Sequence, residues 1–297
     1  MKPIFKYRGG KAKEIPLFSQ FIPTKFNTYY EPFVGGGAVY FHINPIAAVI
    51  NDINTSLMKA YTDFKEQFET SKQQLLEIQL EYEKNQKNYE LLKSEHPTER
   101  VPNDNENLYY RIRDMYNNKI EKKYLDSVVY YFINKTAYSG MIRYNASGDY
   151  NVPYGRYKNF NTELVTNEHY DLLSRTKIFN VDYSTIFDMA NENDFMFLDP
   201  PYDCIFNDYG NLAVQAGGFT EDEHKRLASD FKNLSCKALM VIGKTPLTEG
   251  LYHDYIAGEY KKIYSVNIRN RFKSSSDHII VTNYWKEGFW NGCFKRN

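Results

Sequence analysis

Phe195-Met196-Phe197-Leu198-Asp199-Pro200-Pro201-Tyr202 is the stretch whose reading decides the fold. Four large apolar residues in a row fit a short buried strand, and the two prolines stop it abruptly. A stiff turn at a strand's carboxyl end is where open α/β sheets hold their ligands. This turn offers a carboxylate (Asp199), a proline carbonyl (Pro200) and an aromatic face (Tyr202). Those groups suit an exocyclic amine on a flat heterocycle: two acceptors for its two hydrogens and a ring to stack against. The plainer reading is a strand-ending turn with a solvated Asp, so the motif gains weight only from its context.

The context lies upstream. Tyr29-Tyr30-Glu31-Pro32-Phe33-Val34-Gly35-Gly36-Gly37-Ala38 joins a strand-like start to a glycine loop that opens a helical stretch. Glycines let backbone N–H groups approach a ligand closely and tolerate positive φ. The run lacks the full dinucleotide spacing, so a pyrophosphate ligand is not indicated. The next strand, Ala47 to Asn51, ends in Asp52, 17 positions after Gly35. An acid about 20 positions past a glycine turn suits the hydroxyls of a ribose. A further strand, Lys177 to Asp182, also ends in an acid, placed to receive a cofactor amino group. Together these features describe an adenosine-type cofactor facing an amine.

Composition sets limits. A chain of 297 residues calls for one large core with a sizeable insertion, or for two domains. No apolar run approaches 18 residues and the N-terminus has no long apolar stretch, so neither a membrane span nor a signal peptide is expected. Cys204, Cys236 and Cys293 form neither a metal spacing nor a disulfide framework, which fits a reducing cytoplasm. The net charge is zero, but it is unevenly spread. Residues 1–60 hold seven Lys/Arg against three Asp/Glu, residues 134–160 four against one, and residues 61–110 six against eleven. A surface polarised in this way can meet a polyanion despite its neutral total. Many of the 27 tyrosines lie in the basic stretches, where they would serve base stacking or simply a core.

Between the two halves of the α/β pattern the rhythm changes. Phe68, Leu75, Tyr82 and Tyr89 recur every seven positions, predicting an amphipathic helix or helix pair over 64–93. Ser71 and Asn85 in the alternate seam positions argue against a coiled coil. Helices are expected over 107–117 and 124–134. Met141 to Asn145, a turn at 146–149 and Tyr150 to Tyr154 predict a β-hairpin. Such a ribbon can enter the major groove of DNA, where Arg143 could bond a guanine edge, with Arg156 adding a basic group beyond it. Thr220 with Glu223 forms a capping-box pattern in a helix within 217–234, and strands over 236–242 and 279–284 complete the sheet.

At this point the chain resembles the DNA adenine methyltransferase (Dam) family, in the group whose target-recognition domain lies within the catalytic core. The resemblance rests on Phe5-Lys6-Tyr7-Arg8-Gly9-Gly10-Lys11, the loop from Glu31 to Ala38, Asn51-Asp52, Tyr138 to Tyr157, Asp199 to Tyr202, and Thr282-Asn283-Tyr284. It implies an α/β, Rossmann-like S-adenosylmethionine-dependent methyltransferase core formed by 1–63 and 161–297. Residues 64–160 would be an inserted, mainly helical target-recognition domain carrying the hairpin. It further implies S-adenosylmethionine as cofactor, held by Tyr7, Lys11, Glu31, Phe33, Gly35, Gly37, Asp52, Asp182 and Asp199. Lys6 and Arg143 resemble the family's base-reading residues, and Tyr138 its aromatic that inserts near a flipped base. Pro153 and Arg156 fall at the hairpin end. The implied partner is double-stranded DNA, usually at GATC, with a cognate restriction endonuclease acting on the same site. Three departures stand out: Tyr7 replaces a tryptophan, Ser139 and Met141 replace Asn and Leu, and Val241-Ile242-Gly243-Lys244 replaces a Ser-Asn pair.

Catalysis would then fall to Asp199, Pro200 and Tyr202. The amine version on cytosine, RNA or a protein amide is the alternative, and Asp rather than Ser or Asn at 199 disfavours the cytosine and amide forms. A cytosine ring-carbon methyltransferase would need a nucleophilic cysteine, usually after proline, and none of the three follows one. A decayed DNA-binding module is the other alternative, against which Lys11, Gly35, Gly37, Asp52 and Asp199 all speak.

Overall fold

A computed structural model describes residues 1–7, 9–140, 142–202, 219–264 and 274–284. Arg8, Met141, Cys204, Cys293 and the expected helix start at Gly217 lie outside them. Seven strands form one sheet: β1 (Tyr29–Glu31), β2 (Ala48–Asn51), β3 (Thr176–Phe179), β4 (Phe195–Leu198), β5 (Lys237–Gly243), β6 (Ile256–Tyr264) and β7 (Ser274–Thr282). Their order is β3-β2-β1-β4-β5-β7-β6. The first five run parallel, and β7 inserts antiparallel between β5 and β6.

The apolar run of β4 shows why the sheet is covered on both sides. Side chains alternate across a strand. Phe195 and Phe197 join the core on one face, while Met196 and Leu198 join the core on the other. All four are fully buried, each contributing roughly 1.5–3 kcal/mol relative to exposure. The second face is packed by α8 (Tyr183–Phe187), α9 (Glu221–Lys232) and α10 (Pro246–Tyr252) through Ile186, Leu227, Phe231 and Tyr252. The first face is packed by α3 (Thr55–Glu66) and α7 (Asn167–Ser174), with α6 (Asp126–Thr136) packed against α3.

Adjacent strands β2 and β3 have everything from Asp52 to Arg175 between them. That stretch holds α3, α4 (Phe68–Glu95), α5 (Asp104–Tyr116), α6 and α7. The seven-residue pattern becomes one helix of 28 residues, not a pair. Phe68, Leu75, Ile78 and Tyr82 are buried, and beyond Tyr82 the helix has no buried residue. Ser71 is accommodated in the seam because its hydroxyl meets that of Ser127 at 2.8 Å, both fully buried. The expected boundary at 63/64 falls inside α3, and the apolar residues of α4, α5 and α6 share one continuous core with the sheet face.

Two local expectations are corrected. Strand β3 ends at Phe179, not Asp182. Past it the chain is held by a side chain: Asn51 Oδ1 accepts from Val181 N (2.9 Å) and Asn51 Nδ2 donates to Val181 O (3.1 Å). The hairpin is rudimentary, with one bridge between Tyr144 and Tyr150 and a bond from Asn151 N to Arg143 O (3.1 Å). Asn117 brackets Tyr150 in place of a second strand, accepting from its N–H at 2.8 Å and donating to its carbonyl at 3.0 Å.

Candidate active site and nucleic-acid interface

Strands β1 and β4 lie side by side, yet β1 is followed by β2 on one side and β4 by β5 on the other. The loops leaving them diverge, and a crevice opens at their carboxyl ends. Its cavity measures about 810 Å³. Tyr7, Lys11, Glu31, Phe33, Gly35, Gly37, Asp52, Asp182, Asp199 and Pro200 all line it, although they come from five separate stretches of chain. Tyr202 does not line it: its ring lies beneath Lys11 Nζ, 5.0 Å from ring centre, and edge-on to His278.

The loop after β1 has a shape that side chains would spoil. Gly35 and Gly37 have φ of +47° and +69°, a region that costs other residues roughly 1–2 kcal/mol. A Cβ on Gly35 would lie 2.9 Å from the Tyr7 ring, and one on Gly37 2.9 Å from Phe41. Asp52, just past β2, fastens this loop: its carboxylate accepts from Gly35 N (3.0 Å) and from Asn54 N (2.9 Å). Asn54 in turn caps α3 through Leu57 N (3.1 Å).

At the turn after β4, Lys11 Nζ donates to both Asp199 oxygens (2.6 and 2.7 Å) and to Gly9 O (3.0 Å). Lys11 is 2% exposed. Burial pushes the Asp199 carboxyl above its ordinary value, against the pull of Lys11. Burial likewise raises Asp52, against the N–H donors of Asn54 and Gly35. Glu31, at the end of β1, accepts from Tyr29 OH (2.6 Å), and burial pushes it up to about 8 despite that bond. Asp182 is not a strand end but the N-cap of α8, where it takes Ser184 N (3.0 Å) and pairs with Arg226. Ser184 and Arg226 outweigh burial and hold its carboxyl low.

The residues expected at DNA are arranged differently. Tyr138 is 53% exposed, while Tyr82, Tyr109, Tyr130, Tyr131, Tyr144, Tyr150 and Tyr154 are buried, so most of this region's tyrosines serve the core. The Tyr138 N–H donates to Pro153 O (2.9 Å), and the next residue, Ser139, has φ +55°. Lys6 Nζ lies 5.2 Å from the Tyr157 ring centre, and the Lys6 backbone is clamped by Asn134 through bonds of 2.8 and 2.7 Å. Arg143 Nε donates to Asn151 Oδ1 (2.8 Å). Arg156 pairs with Glu106 (3.1 Å) and Lys158 with Glu90 (3.0 Å). Two of the segment's four cations, Arg156 and Lys158, are thus paired with acids of α5 and α4.

The model of the D12 class N6 adenine-specific DNA methyltransferases matches residues 7–269. The chain belongs to that family of adenine-specific DNA methyltransferases. It is 35% identical to the type II methyltransferase M.CviBI of Paramecium bursaria Chlorella virus NC1A, over 96% of this chain and 100% of that protein. It is 30% identical to the type II methyltransferase M1.LlaDCHI of Lactococcus lactis subsp. cremoris, over 96% of each. Identity to the DNA adenine methylase of Escherichia coli (strain K12) is 24%, over 92% of this chain and 90% of that protein.

The methyltransferase crevice includes residues that sequence reasoning missed. Tyr116, Asn117, Asn118, Tyr144 and Asp149 line it from the long β2–β3 connection. The only available signal was the Asn117-Asn118 pair closing a helix. Arg226, which holds Asp182, comes from α9 and has no local signature. Cys236 is buried just before β5, and burial pushes its thiol up to about 12, leaving no reactive thiolate there. Among the described residues no helix is long and apolar enough to cross a membrane.

Proposed function

We propose that this methyltransferase draws its methyl group from S-adenosylmethionine and places it on the 6-amino group of an adenine flipped out of double-stranded DNA, within GATC or a related short site. The observation that carries the reading is the Lys11-held Asp199 carboxylate at the rim of a large crevice between β1 and β4. The crevice fits the cofactor chemically. Its volume of about 810 Å³ lies in the range of small-molecule sites. Glu31, Asp52, Asp149, Asp182, Asp199 and Glu223 line it, with Lys11 the one lining cation among the described residues. Glu31 is mostly protonated at neutral pH and Asp149, Asp182, Asp199 and Glu223 are ion-paired, which leaves Asp52, held by backbone N–H groups, as the acid to meet a polar or cationic part of the ligand. The Gly35–Gly37 loop lines the crevice with backbone, in a shape that Tyr7 and Phe41 close to side chains, and Asp52 and Asp182, which line the same crevice, are the groups assigned here to ribose and adenine.

When bound, S-adenosylmethionine supplies an electrophilic methyl on a sulfonium. The chain's own residues must make the amine nucleophilic. Adenine's 6-amino lone pair is delocalised into the ring. Asp199 and the Pro200 carbonyl, accepting its two hydrogens, favour a pyramidal nitrogen with an available lone pair. A carboxylate has about four acceptor positions, so Lys11 can keep its bonds while one oxygen takes the amine. Preorganised acceptors also stabilise the charge that grows on nitrogen, each worth roughly 3 kcal/mol by analogy with other such groups. The proton lost from nitrogen passes through Asp199 towards solvent. The target atom is unreachable inside a duplex, so the base must leave the stack. Tyr138, exposed beside Pro153, is the side chain to fill the gap, and Lys6 and Arg143 are the readers.

In this account residues 64–160 form the target-recognition domain, and 1–63 with 161–297 the catalytic one. We propose in addition a partner endonuclease acting on the same site, in keeping with the type II designation of the Chlorella virus and lactococcal relatives, and action in the cytoplasm, where the DNA would be met. The test is incubation of the purified protein with duplex DNA and S-adenosylmethionine, followed by sequencing that reports modified bases. The expected result is 6-methyladenine at one short site. Methylation of cytosine, or none with folded protein, would contradict the reading.

A further inference from the structure

Behind the crevice lies a second buried charge cluster. Lys11 and Glu14 share one turn of backbone, in which Glu14 N and Ile15 N both donate to Lys11 O (2.7 and 3.0 Å). Lys11 reaches forward to Asp199. The Glu14 side chain, 7% exposed, instead meets the β6–β7 ribbon. Its Oε1 pairs with Lys262 Nζ (2.6 Å), and its Oε2 accepts from Tyr260 OH (2.6 Å) and lies 3.2 Å from His278 Nδ1. Burial of a carboxylate is unfavourable unless it is paired and hydrogen-bonded, and here two strands supply the partners. Burial pushes Glu14 up, but His278, Lys11, Lys262 and Tyr260 together bring it down to about 2. His278 is fully buried and stands edge-on to Tyr202 (5.2 Å between ring centres) and against Tyr260 (5.2 Å). Gly243 on β5 touches the same tyrosine: a Cβ there would lie 3.5 Å from Tyr202 Cδ2.

We propose that Glu14 is a positioning residue for methyl transfer, tying the β6–β7 ribbon to the Lys11 turn so that His278 sets Tyr202 and Lys11 in register with Asp199. Glu14 touches neither substrate nor cofactor in this account. It acts on Lys11, which lines the crevice, and on the Tyr202 ring that backs Lys11, from the far side of the Asp199–Tyr202 turn. The proposal rests on the reading of that turn as catalytic.

The test compares Glu14→Ala and Glu14→Gln with the parent in single-turnover methylation, at saturating DNA and S-adenosylmethionine. Cofactor affinity is measured by calorimetry, thermal stability by melting, and the state of the target base by 2-aminopurine fluorescence. Misplacement of reacting groups by about 1 Å costs on the order of a hundredfold in rate. Glu14→Ala should therefore lose roughly tenfold to a hundredfold in rate, with cofactor affinity kept within about twofold and the flipped-base fluorescence altered. Glu14→Gln, whose carbonyl still accepts from Tyr260, should recover part of the rate. An unchanged rate in Glu14→Ala overturns the proposal. So does a parallel fall of rate, cofactor affinity and melting temperature in both variants, which marks a merely structural acid. Should Glu14→Ala fail to fold, Tyr260→Phe removes one donor and should give the same pattern more weakly; an unchanged rate there also overturns it. Asp199→Ala, run in parallel, separates the two layers. If it keeps its rate, the reading of the turn falls first, whatever Glu14 does.

Discussion

The crevice at the ends of β1 and β4 and the segment from Tyr138 to Arg156 hold their functional groups by opposite means. In the crevice, Lys11 and Glu31 are each 2% exposed, and Asp52 and Asp199 are fixed by short bonds to backbone or to a buried cation. In the segment, Tyr138 is 53% exposed and the Arg156 side chain 57%, the latter paired with Glu106 at the surface. Such surface pairs contribute about 0–1 kcal/mol. Groups that do chemistry need a geometry set before substrate arrives. Groups that read DNA must exchange one partner for another, and a weak partner is easily exchanged. On the proposed function, the difference teaches that a paired arginine here is held in reserve, whereas a paired Lys11 is in place.

The largest effect should come from Asp199→Ala. Losing one preorganised acceptor costs about 3 kcal/mol, so single-turnover methylation should fall at least a hundredfold on every DNA sequence. Calorimetry should find cofactor affinity nearly kept. Retention of a tenth of the parental rate in a folded protein would break the comparison at its stronger side. Asp52→Ala comes next. It should weaken cofactor affinity by roughly 1.5–3 kcal/mol, the scale of a hydrogen bond to a charged group. Unchanged affinity by calorimetry would reduce Asp52 to a brace for Gly35.

Glu31 sharpens the same side through pH. Its folded value is raised from 4.5 to about 8, so the folded state holds the proton longer than the unfolded chain. Stability should then fall as pH rises between those values, by about 1 kcal/mol from pH 7 to 8. Glu31→Gln should flatten that slope in melting experiments. A slope that persists would place the titration elsewhere. The smallest effect belongs to Arg156. Arg156→Ala should lower DNA affinity about equally for all sequences and reduce the salt slope by roughly one, as read in binding titrations. Glu106→Gln should do the reverse by releasing the arginine.

The crevice was legible because its signals are local. Strand β4 and its Pro-Pro stop, the glycines at positive φ and the acid after β2 each declare themselves within a few residues. What escaped the sequence depends on partners far along the chain. Asn51 holds Val181 and so ends β3 before Asp182. Asn117 replaces a strand beside Tyr150 and reduces the hairpin to one bridge. Glu106 and Glu90 pair two of the four cations of a segment whose own composition is basic. Tyrosine abundance left two readings open for a similar reason, since burial and base stacking draw on the same side chain. The cluster around Glu14 joins an N-terminal turn to β6 and β7, and no spacing reveals it.

The central claim is that chemistry resides in the crevice and sequence reading in the segment. The most direct measurement is single-turnover methylation by Arg143→Ala on a panel of duplexes carrying every single-base change of the preferred site. Arg143 now bonds Asn151, an exposed contact that a guanine edge can replace. A bidentate contact of that kind discriminates by roughly 1–3 kcal/mol. The account predicts that discrimination collapses at one base pair while the best site is still methylated. Slowing of every duplex by one common factor would make Arg143 a phosphate anchor and contradict the claim.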